Sequence, residues 1–441
     1  DGYVIARHLD DRGWSVRCIS TREPSALKGD AALNQSRWSA CGGETRSAVK
    51  GVTAKMKNLI GHADVVVDAL FGTGLSRPIE GVAADLISVA NEKEHPLRVA
   101  VDIPSGLDAD TGQCAGPVFQ ADLTTTYGLE KPGLHQSPGR ERAGKVYDVR
   151  IGLPRKIVAE VGPSVRWLDE EAAAGLIPAR DPAGHKGRYG HVAIVGGFAG
   201  KEGAGALAAM GALHGGAGLV TWQSDGAHEA VKRPPEIMVR DINDGLEPRA
   251  TVFVAGPGLG VETPSVEALE RVIRSGHPYV LDADACNLLA TRTEPLEGGA
   301  ARILTPHPAE AARLLGCETA DVQRDRLVAA ATLAERYGAT IALKGAATVV
   351  AVEGQPSVLI HEGDPTLSAG GTGDVLAGLI ASLVGQGLVP RAAAMLGVFL
   401  HGRAGSLAGA DRAARGVGAS EVSAAIPRVI EELKLGWERP G

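Results

Sequence analysis

The sequence predicts an α/β protein of two domains, each a mainly parallel sheet covered by helices. Three observations carry this. The chain has 441 residues, and a single core rarely grows past roughly 250–300. Apolar runs of four to eight residues alternate with longer amphipathic stretches, the rhythm of βαβ units. The 59 glycines, nearly twice the usual share of roughly 7%, cluster after apolar runs, as tight strand-to-helix turns and phosphate loops do.

In the first part, strands are expected at Val16–Ile19, Val65–Ala69, Val99–Ile103, Leu123–Tyr127 and Val146–Ile151. Helices are expected at Tyr3–Arg12, Thr45–Ile60 and Val82–Glu92. Gly152-Leu153-Pro154 ends this block, and Pro163, Pro178 and Pro182 punctuate the stretch to His185, with a short helix near Glu170–Leu176. The boundary is placed around residue 160, giving domains over 1–158 and 159–441. The second part restarts with strands at Val192–Val195, Leu219–Trp222, Val252–Ala255, Tyr279–Asp282, Ile303–Thr305, Thr340–Lys344 and Thr348–Val352. Helices follow at Gly205–His214, Ser265–Arg274, Ala309–Leu315, Arg324–Tyr337, Thr372–Val384, Ala392–Ala408 and Ser420–Glu432. No internal repeat or low-complexity tract interrupts the series.

Composition narrows the function. Net charge is −7 and no basic stripe or aromatic-basic interleaving is present, which argues against a nucleic-acid partner. Aromatics make up only 4%, too few for base-stacking platforms. The longest apolar stretch, Val375–Val384, is too short to span a bilayer, and no signal peptide is visible, so no membrane partner is expected. Cys18, Cys41, Cys114, Cys286 and Cys317 are far apart and odd in number, which disfavours a zinc site or a disulfide framework and favours a reducing cytoplasm.

The sharpest motif is Gly370-Gly371-Thr372-Gly373-Asp374 ahead of the apolar helix Val375–Leu383. Small residues let backbone N–H groups approach an anion, and a helix N-terminus adds partial positive charge there. Asp374 then stands beside the anion as a candidate general base for a substrate hydroxyl. Helix capping alone would also favour an Asp at that place. Lys344 ends a strand, where it can meet a phosphate or simply be solvated. His307, stiffened between Pro306 and Pro308, is equally compatible with a structural and a ligand-binding role. Asp282 and Asp284 follow a strand, and capping or support is favoured over metal binding.

GGTGDVLAGLIASL resembles the catalytic signature of ribokinase-like enzymes, and more narrowly that of the ADP-dependent NAD(P)H-hydrate dehydratase family. HKGRYGHVAIVGG (185–197), GAGLVT (216–221), PPEIMV (234–239), VAGPGLG (254–260), VLDADACNLL (280–289), ILTPHPAEAARLLG (303–316) and ALKGAATVV (342–350) are similar in the same order, over about residues 165–435. The resemblance implies a ribokinase-like α/β/α domain. It implies that Asp374, a catalytic residue, contacts the hydrated nicotinamide together with His307, Gly258 and Ala204. It implies that Gly373 and the loop Lys344, Gly345, Ala346, Ala347 and Thr348 bind the adenine nucleotide, ADP or ATP, with Mg2+. One stretch departs from the family: Gly363-Asp364-Pro365-Thr366-Leu367-Ser368-Ala369 stands where Asn-Pro-Gly-Met-Ala-Thr is more usual, with an expected bearing on nucleotide preference.

In the first domain, Phe71-Gly72-Thr73-Gly74-Leu75 and Val101-Asp102-Ile103-Pro104-Ser105-Gly106-Leu107-Asp108 each follow a strand, where open α/β sheets bind ligands and where turn chemistry alone would also put these residue types. DALFGTGLSRPIEG (68–81), VAVDIPSGLDADTG (99–112) and KPGL (131–134) resemble the NAD(P)H-hydrate epimerase family, over residues 1 to about 155. The resemblance implies a Rossmann-like three-layer domain. Its substrate loop would be Gly72, Thr73, Gly74, Leu75, Ser76, Arg77 and Pro78. Asp102 would be its substrate-binding and catalytic carboxylate, and Asp68 and Ser105 its K+ ligands, oxygen donors suited to a hard cation. The chain opens at Asp1-Gly2, inside what is an N-N-G-G-D-G phosphate loop in that family. The domain is therefore read as incomplete, with weak or no epimerase activity expected of it.

Together the resemblances imply a nicotinamide nucleotide repair enzyme acting on the hydrates of NADH and NADPH, and a homo-oligomer is the expected assembly. A small-molecule kinase and a non-catalytic nucleotide-binding module share part of the pattern. The epimerase-like segment and HPAE argue against the first, and the joint presence of Asp374, Lys344 and His307 argues against the second.

Overall fold

A computed structural model describes the chain except for Ser76, residues 227–230, 295, 297–300 and 438–441. It divides into two compact units, Asp1–Gly162 and Pro163–Gly441.

In the first unit, strands β1 (Cys18–Ser20) and β2 (Thr45–Ser47) pair in parallel as a separate ribbon. The main sheet is parallel throughout, in the order β3 (Val65–Asp68), β4 (Leu97–Val101), β5 (Leu123–Tyr127), β6 (Lys145–Val149). Helices α1 (Gly2–Asp10), α2 (Gly29–Ala40), α3 (Ala54–Gly61), α4 (Gly81–Asn91), α5 (Gly139–Ala143) and α6 (Arg155–Val161) complete it. The helix expected over Thr45–Ile60 is corrected. Its first three residues are β2, Gly51 at φ 110° breaks the chain, and Thr53 caps α3 by accepting from Met56 N at 3.3 Å. The expected strand at Val16–Ile19 is shifted to β1, and α2, whose apolar face is weak, has no counterpart in the sequence reading.

The second unit is one ten-stranded sheet with helices on both faces. Its strands are β7 (Val165–Trp167), β8 (His191–Val195), β9 (Leu219–Ser224), β10 (Ile237–Asp241), β11 (Val252–Ala255), β12 (Tyr279–Leu281), β13 (Arg302–Leu304), β14 (Thr340–Leu343), β15 (Thr348–Ala351) and β16 (Ser357–Ile360). They lie in the order β10-β9-β8-β11-β12-β13-β14-β15-β16-β7, parallel except where β15 meets its two neighbours. Three of them, β7, β10 and β16, went unread in the sequence. The helices are α7 (Glu170–Gly175), α8 (Glu202–His214), α9 (Thr263–Ile273), α10 (Asp284–Thr291), α11 (Pro308–Leu315), α12 (Thr319–Arg324), α13 (Arg326–Tyr337), α14 (Thr372–Gly385), α15 (Pro390–Gly409) and α16 (Ala419–Trp437). The helix expected over Arg324–Tyr337 is α13, which starts at Arg326 because Asp325 is its N-cap, and neither α10 nor α12 was anticipated. Among the described residues no helix is long and apolar enough to cross a membrane.

Helix α14 is buried almost all round, which suits its run of apolar and small residues. It lies so close to α8 that a Cβ on Gly378 would sit 1.9 Å from the Ala208 carbonyl, and one on Gly211 2.2 Å from the Val375 carbonyl. Only hydrogen fits at either place. Gly378→Ala must push the two helices apart, and overpacking of this kind costs about 1–3 kcal/mol. The expected outcome is a lower thermal midpoint with unchanged far-ultraviolet dichroism.

Candidate active sites

In the second unit the sequence-predicted residues gather at the carboxyl ends of adjacent parallel strands. Sheet order reverses between β8 and β11, and the loops that follow these strands are tied together there: Gly197 N donates to Pro257 O at 2.8 Å and Phe198 N to Gly258 O at 2.9 Å. Such a switch point opens a crevice at the strand ends. Gly258 has φ 60°, and a Cβ on it would lie 2.6 Å from the Lys201 carbonyl and 3.1 Å from the Ala204 methyl. Gly258 and Ala204 therefore form one wall, at the start of α8.

The next three strands supply charge. Asp282, 1% exposed, follows β12 and accepts from Lys344 Nζ at 2.5 Å. Lys344 follows β14, is anchored by its N–H to Pro306 O at 2.9 Å, and lies 3.9 Å from the Glu310 carboxylate. Burial alone would lower the Lys344 pKa, but Asp282 and Glu310 hold it above its ordinary value, so it is a cation. Glu310, 4% exposed, was not singled out from the sequence. Burial pushes its pKa up, and Lys344 draws it back down.

His307 is the N-cap of α11. Its Nδ1 accepts from Ala309 N at 3.1 Å and Glu310 N at 3.4 Å, and Glu310 returns the bond by accepting from His307 N at 2.8 Å. That assigns the ring proton to Nε2, which faces the second Glu310 oxygen at 3.2 Å. Burial first, then Lys344, lowers its pKa, so the ring is neutral near pH 7. Asp284 is likewise bound locally, accepting from Gly260 N at 2.8 Å and Lys201 Nζ at 3.2 Å. Between the two aspartates Ala283 holds φ 47°, an unfavourable value for a residue with a Cβ.

The glycine motif arrives from the other side. Gly371 takes φ 91° as the N-cap of α14, and the Thr372 hydroxyl donates to Leu367 O at 2.9 Å or Ala369 O at 3.1 Å. A Cβ on Gly373 would lie 3.3 Å from Lys344 Nζ and 3.8 Å from the Asp282 carboxylate. Asp374 therefore stands in the first turn next to the charged cluster. Burial, then the like charge of Asp282, lifts its carboxyl to about 7, against the opposing pull of Lys344. A carboxylate that titrates near neutrality can both take and return a proton. The nucleotide-loop residues Gly345 and Ala346 are exposed, whereas Ala347 and Thr348 are buried at the start of β15. A further unanticipated residue, Arg326, lies under this loop.

In the first unit the same rule of strand ends operates. Asp68, 4% exposed, ends β3. It accepts from Ser105 N and from Ser105 Oγ, both at 2.7 Å, and from Leu70 N at 3.2 Å. Burial raises its pKa, and these donors oppose the rise. Phe71 N donates to Ser105 Oγ at 2.9 Å, which ties the loop after β3 to the loop after β4. Asp102 holds φ 69° while Ile103 N bonds back to Val101 O at 2.9 Å, a tight three-residue turn strained by about 1–3 kcal/mol for a residue with a side chain. The turn is held by Asp102 N to Thr125 O at 2.7 Å. The Asp102 carboxylate pairs with Lys131 Nζ at 2.5 Å, and Lys131 also donates to Thr126 Oγ1 at 2.9 Å and Tyr127 O at 3.1 Å. Lys131 lies in a motif read only as a family likeness, and its ion pair spans 29 residues, beyond local sequence signals. A Cβ on Gly72 would be 3.9 Å from Asp102 Oδ2, so the loop begins at the acid. Thr73, Gly74, Arg77 and Pro78 are exposed and Leu75 is half-buried, while Ser76 lies outside the described residues.

Residues 192–428 match the family model described as NAD(P)H-hydrate dehydratase, and residues 1–133 match the one described as YjeF-related protein N-terminus. A bifunctional NAD(P)H-hydrate repair enzyme from Moorella thermoacetica is 39% identical over 98% of this chain and 86% of its own length. That from Escherichia coli is 37% identical over 98% of this chain and 82% of its own. A crystal structure of the ADP/ATP-dependent NAD(P)H-hydrate dehydratase from Bacillus subtilis, co-crystallized with ATP and Mg2+, superposes with a TM-score of 0.56 at 31% identity, over 62% of this chain and all of its own. With both units matched in order along nearly the whole chain, the protein belongs to the bifunctional NAD(P)H-hydrate repair enzyme family.

Proposed function

We propose that the second unit dehydrates the S epimer of NADH or NADPH hydrate with ADP as phosphoryl donor, and that the first unit carries the related R/S epimerase site. The observation that supports the dehydratase reading is the position of Asp374, at a helix N-terminus beside a buried ammonium and with a carboxyl that titrates near 7.

Hydroxide is a poor leaving group, so the hydrate hydroxyl must first become a phosphate ester. Asp374 takes the hydroxyl proton as the oxygen attacks the terminal phosphoryl group of the nucleotide, leaving AMP from ADP. Phosphate then departs with the C–O bond electrons, and loss of a ring proton restores the dihydropyridine. The N–H groups at the start of α14 and the Lys344 ammonium stabilise charge on the transferred group. Ala204 and Gly258 offer a close, side-chain-poor wall for the nicotinamide, and His307 shapes the crevice as a neutral cap. Among the described residues no three His, Cys, Asp or Glu side chains are grouped to hold a metal. That arrangement suits a Mg2+ carried largely by nucleotide phosphates and water.

In the first unit, Asp102 and Lys131 form an acid–base pair at the mouth of the Gly72–Pro78 loop. The Asp68 carboxylate, the Ser105 hydroxyl and the Phe71 carbonyl bring three oxygens together, Ser105 Oγ lying 2.7 Å from Asp68 Oδ1 and 3.2 Å from Phe71 O. This oxygen-only set fits K+, which would supply charge there for the substrate. All five cysteines are free thiols.

The direct test is recovery of nicotinamide absorbance from a mixture of both hydrate epimers with ADP and Mg2+. The S share should recover in an ADP-dependent phase, and no recovery with ADP or ATP by folded protein would remove the repair assignment. Any consumption of the R share above the spontaneous rate should vanish in Asp102→Ala while the S phase persists. Asp374→Asn should cut the S phase by about 100-fold or more, the usual scale for a general base. The wild-type rate should rise with pH through about 7 as Asp374 ionises. The same raised pKa has a stability consequence. The folded state holds the proton more tightly than the unfolded chain, so this group's contribution to stability is full below about 4 and is lost by about 7. Asp374→Asn removes that loss, so its thermal midpoint should gain on the wild type across this window and level off above it.

A further inference from the structure

Arg326 opens α13 and is 6% exposed. One of its terminal nitrogens donates to three carbonyls, Leu343 O at 3.1 Å, Lys344 O at 3.2 Å and Ala347 O at 3.0 Å. The other donates to Gln323 Oε1 at 3.0 Å. Among the described residues no carboxylate lies within salt-bridge distance of it. A buried guanidinium usually requires a counter-ion, and here only neutral acceptors receive it. Burial brings its pKa down to about 10, which still leaves it charged at neutral pH.

The three carbonyls belong to the loop between β14 and β15. In a trans peptide the N–H points opposite to the C=O, so gathering the Lys344 carbonyl beneath the loop turns the Gly345 N–H to the other side. That N–H finds no acceptor among the described residues, and Gly345 is exposed. A Cβ on Gly345 would sit 2.4 Å from the guanidinium, so a side chain there must displace one or the other. The loop is thus tied down from below by a cation and leaves a donor free above.

We propose that Arg326 is the positioning residue of the nucleotide loop, presetting its backbone donor and lending its uncompensated charge to the recognition of a nucleoside polyphosphate on the loop's exposed side. The proposal rests on the reading that residues 344–348 meet the nucleotide. The gain is one of preorganisation: a loop already held in its binding conformation loses less entropy when the anion arrives. The charge acts through one layer of peptide.

The test uses the full chain with Arg326→Lys, Arg326→Met and Gly345→Ala. Calorimetry gives the ADP dissociation constant, thermal melts give folding and nucleotide-induced stabilisation, and steady-state assays separate kcat from the KM for ADP. Arg326→Met should raise the dissociation constant and KM for ADP by about tenfold or more, with kcat at saturating ADP and the KM for hydrate within about threefold of wild type. Lysine keeps the charge without the fork geometry and should fall between. Gly345→Ala sets a methyl against the guanidinium and should mimic the loss while Arg326 itself is retained, and it carries the test if Arg326→Met does not fold. Folded variants that bind ADP as wild type does, or that lose kcat and affinity for both substrates alike, overturn the proposal. A wild-type chain that ADP neither stabilises nor activates would instead overturn the nucleotide-loop reading beneath it.

Discussion

The close approach of α8 and α14 is the constraint on which the second unit depends. Where Gly378 faces a carbonyl of α8 and Gly211 a carbonyl of α14, the two backbones meet with no side chain between them. Dispersion over such a contact is large because many atoms come to their optimal separation at once. The arrangement also settles where chemistry can happen. The N-terminus of α8 carries Ala204, and that of α14 carries Gly373 and Asp374, so a fixed pair of helices fixes the two sides of the crevice. Each neighbouring strand then needs only to end at the right level to add its own residue.

What those strands add is an excess of acid in a dry place. Asp282, Glu310 and Asp374 share the neighbourhood of one ammonium, Lys344. Removing carboxylates from water is costly, and a single cation cannot satisfy three. Lys344 lies 2.5 Å from Asp282, and the group left with the least compensation is Asp374, which keeps its proton nearly to neutrality. The unevenness of the cluster sets Asp374 apart from the Asp282–Lys344 ion pair.

Much of this was legible in the sequence, for physical reasons. Central strands such as Val192–Val195 are buried on both faces and read as uninterrupted apolar runs. The glycine motif identified its own helix, because small residues suit the turn that opens it. The losses came where local signals are weak. Strands β7, β10 and β16 are three to five residues long, and β10 is half-exposed at the sheet edge, so neither length nor alternation marks it. Thr45–Ile60 carried helical spacing, but the pairing of its first residues with Cys18–Ser20 outweighed propensity. Glu310, Arg326 and Lys131 matter through partners 17 to 34 residues away, and no spacing rule reaches that far.

The backbone at Asp102 has a consequence for how this site can change over time. With φ at 69°, the position accepts few residue types: glycine without strain, and asparagine and aspartate at modest cost. Of these only aspartate carries an acid. A single-base change to asparagine or glycine would keep the turn while removing the Asp102 carboxylate from its pair with Lys131. Loss of the first unit's chemistry along a lineage would therefore be structurally silent, visible in one side chain and in nothing else about the fold.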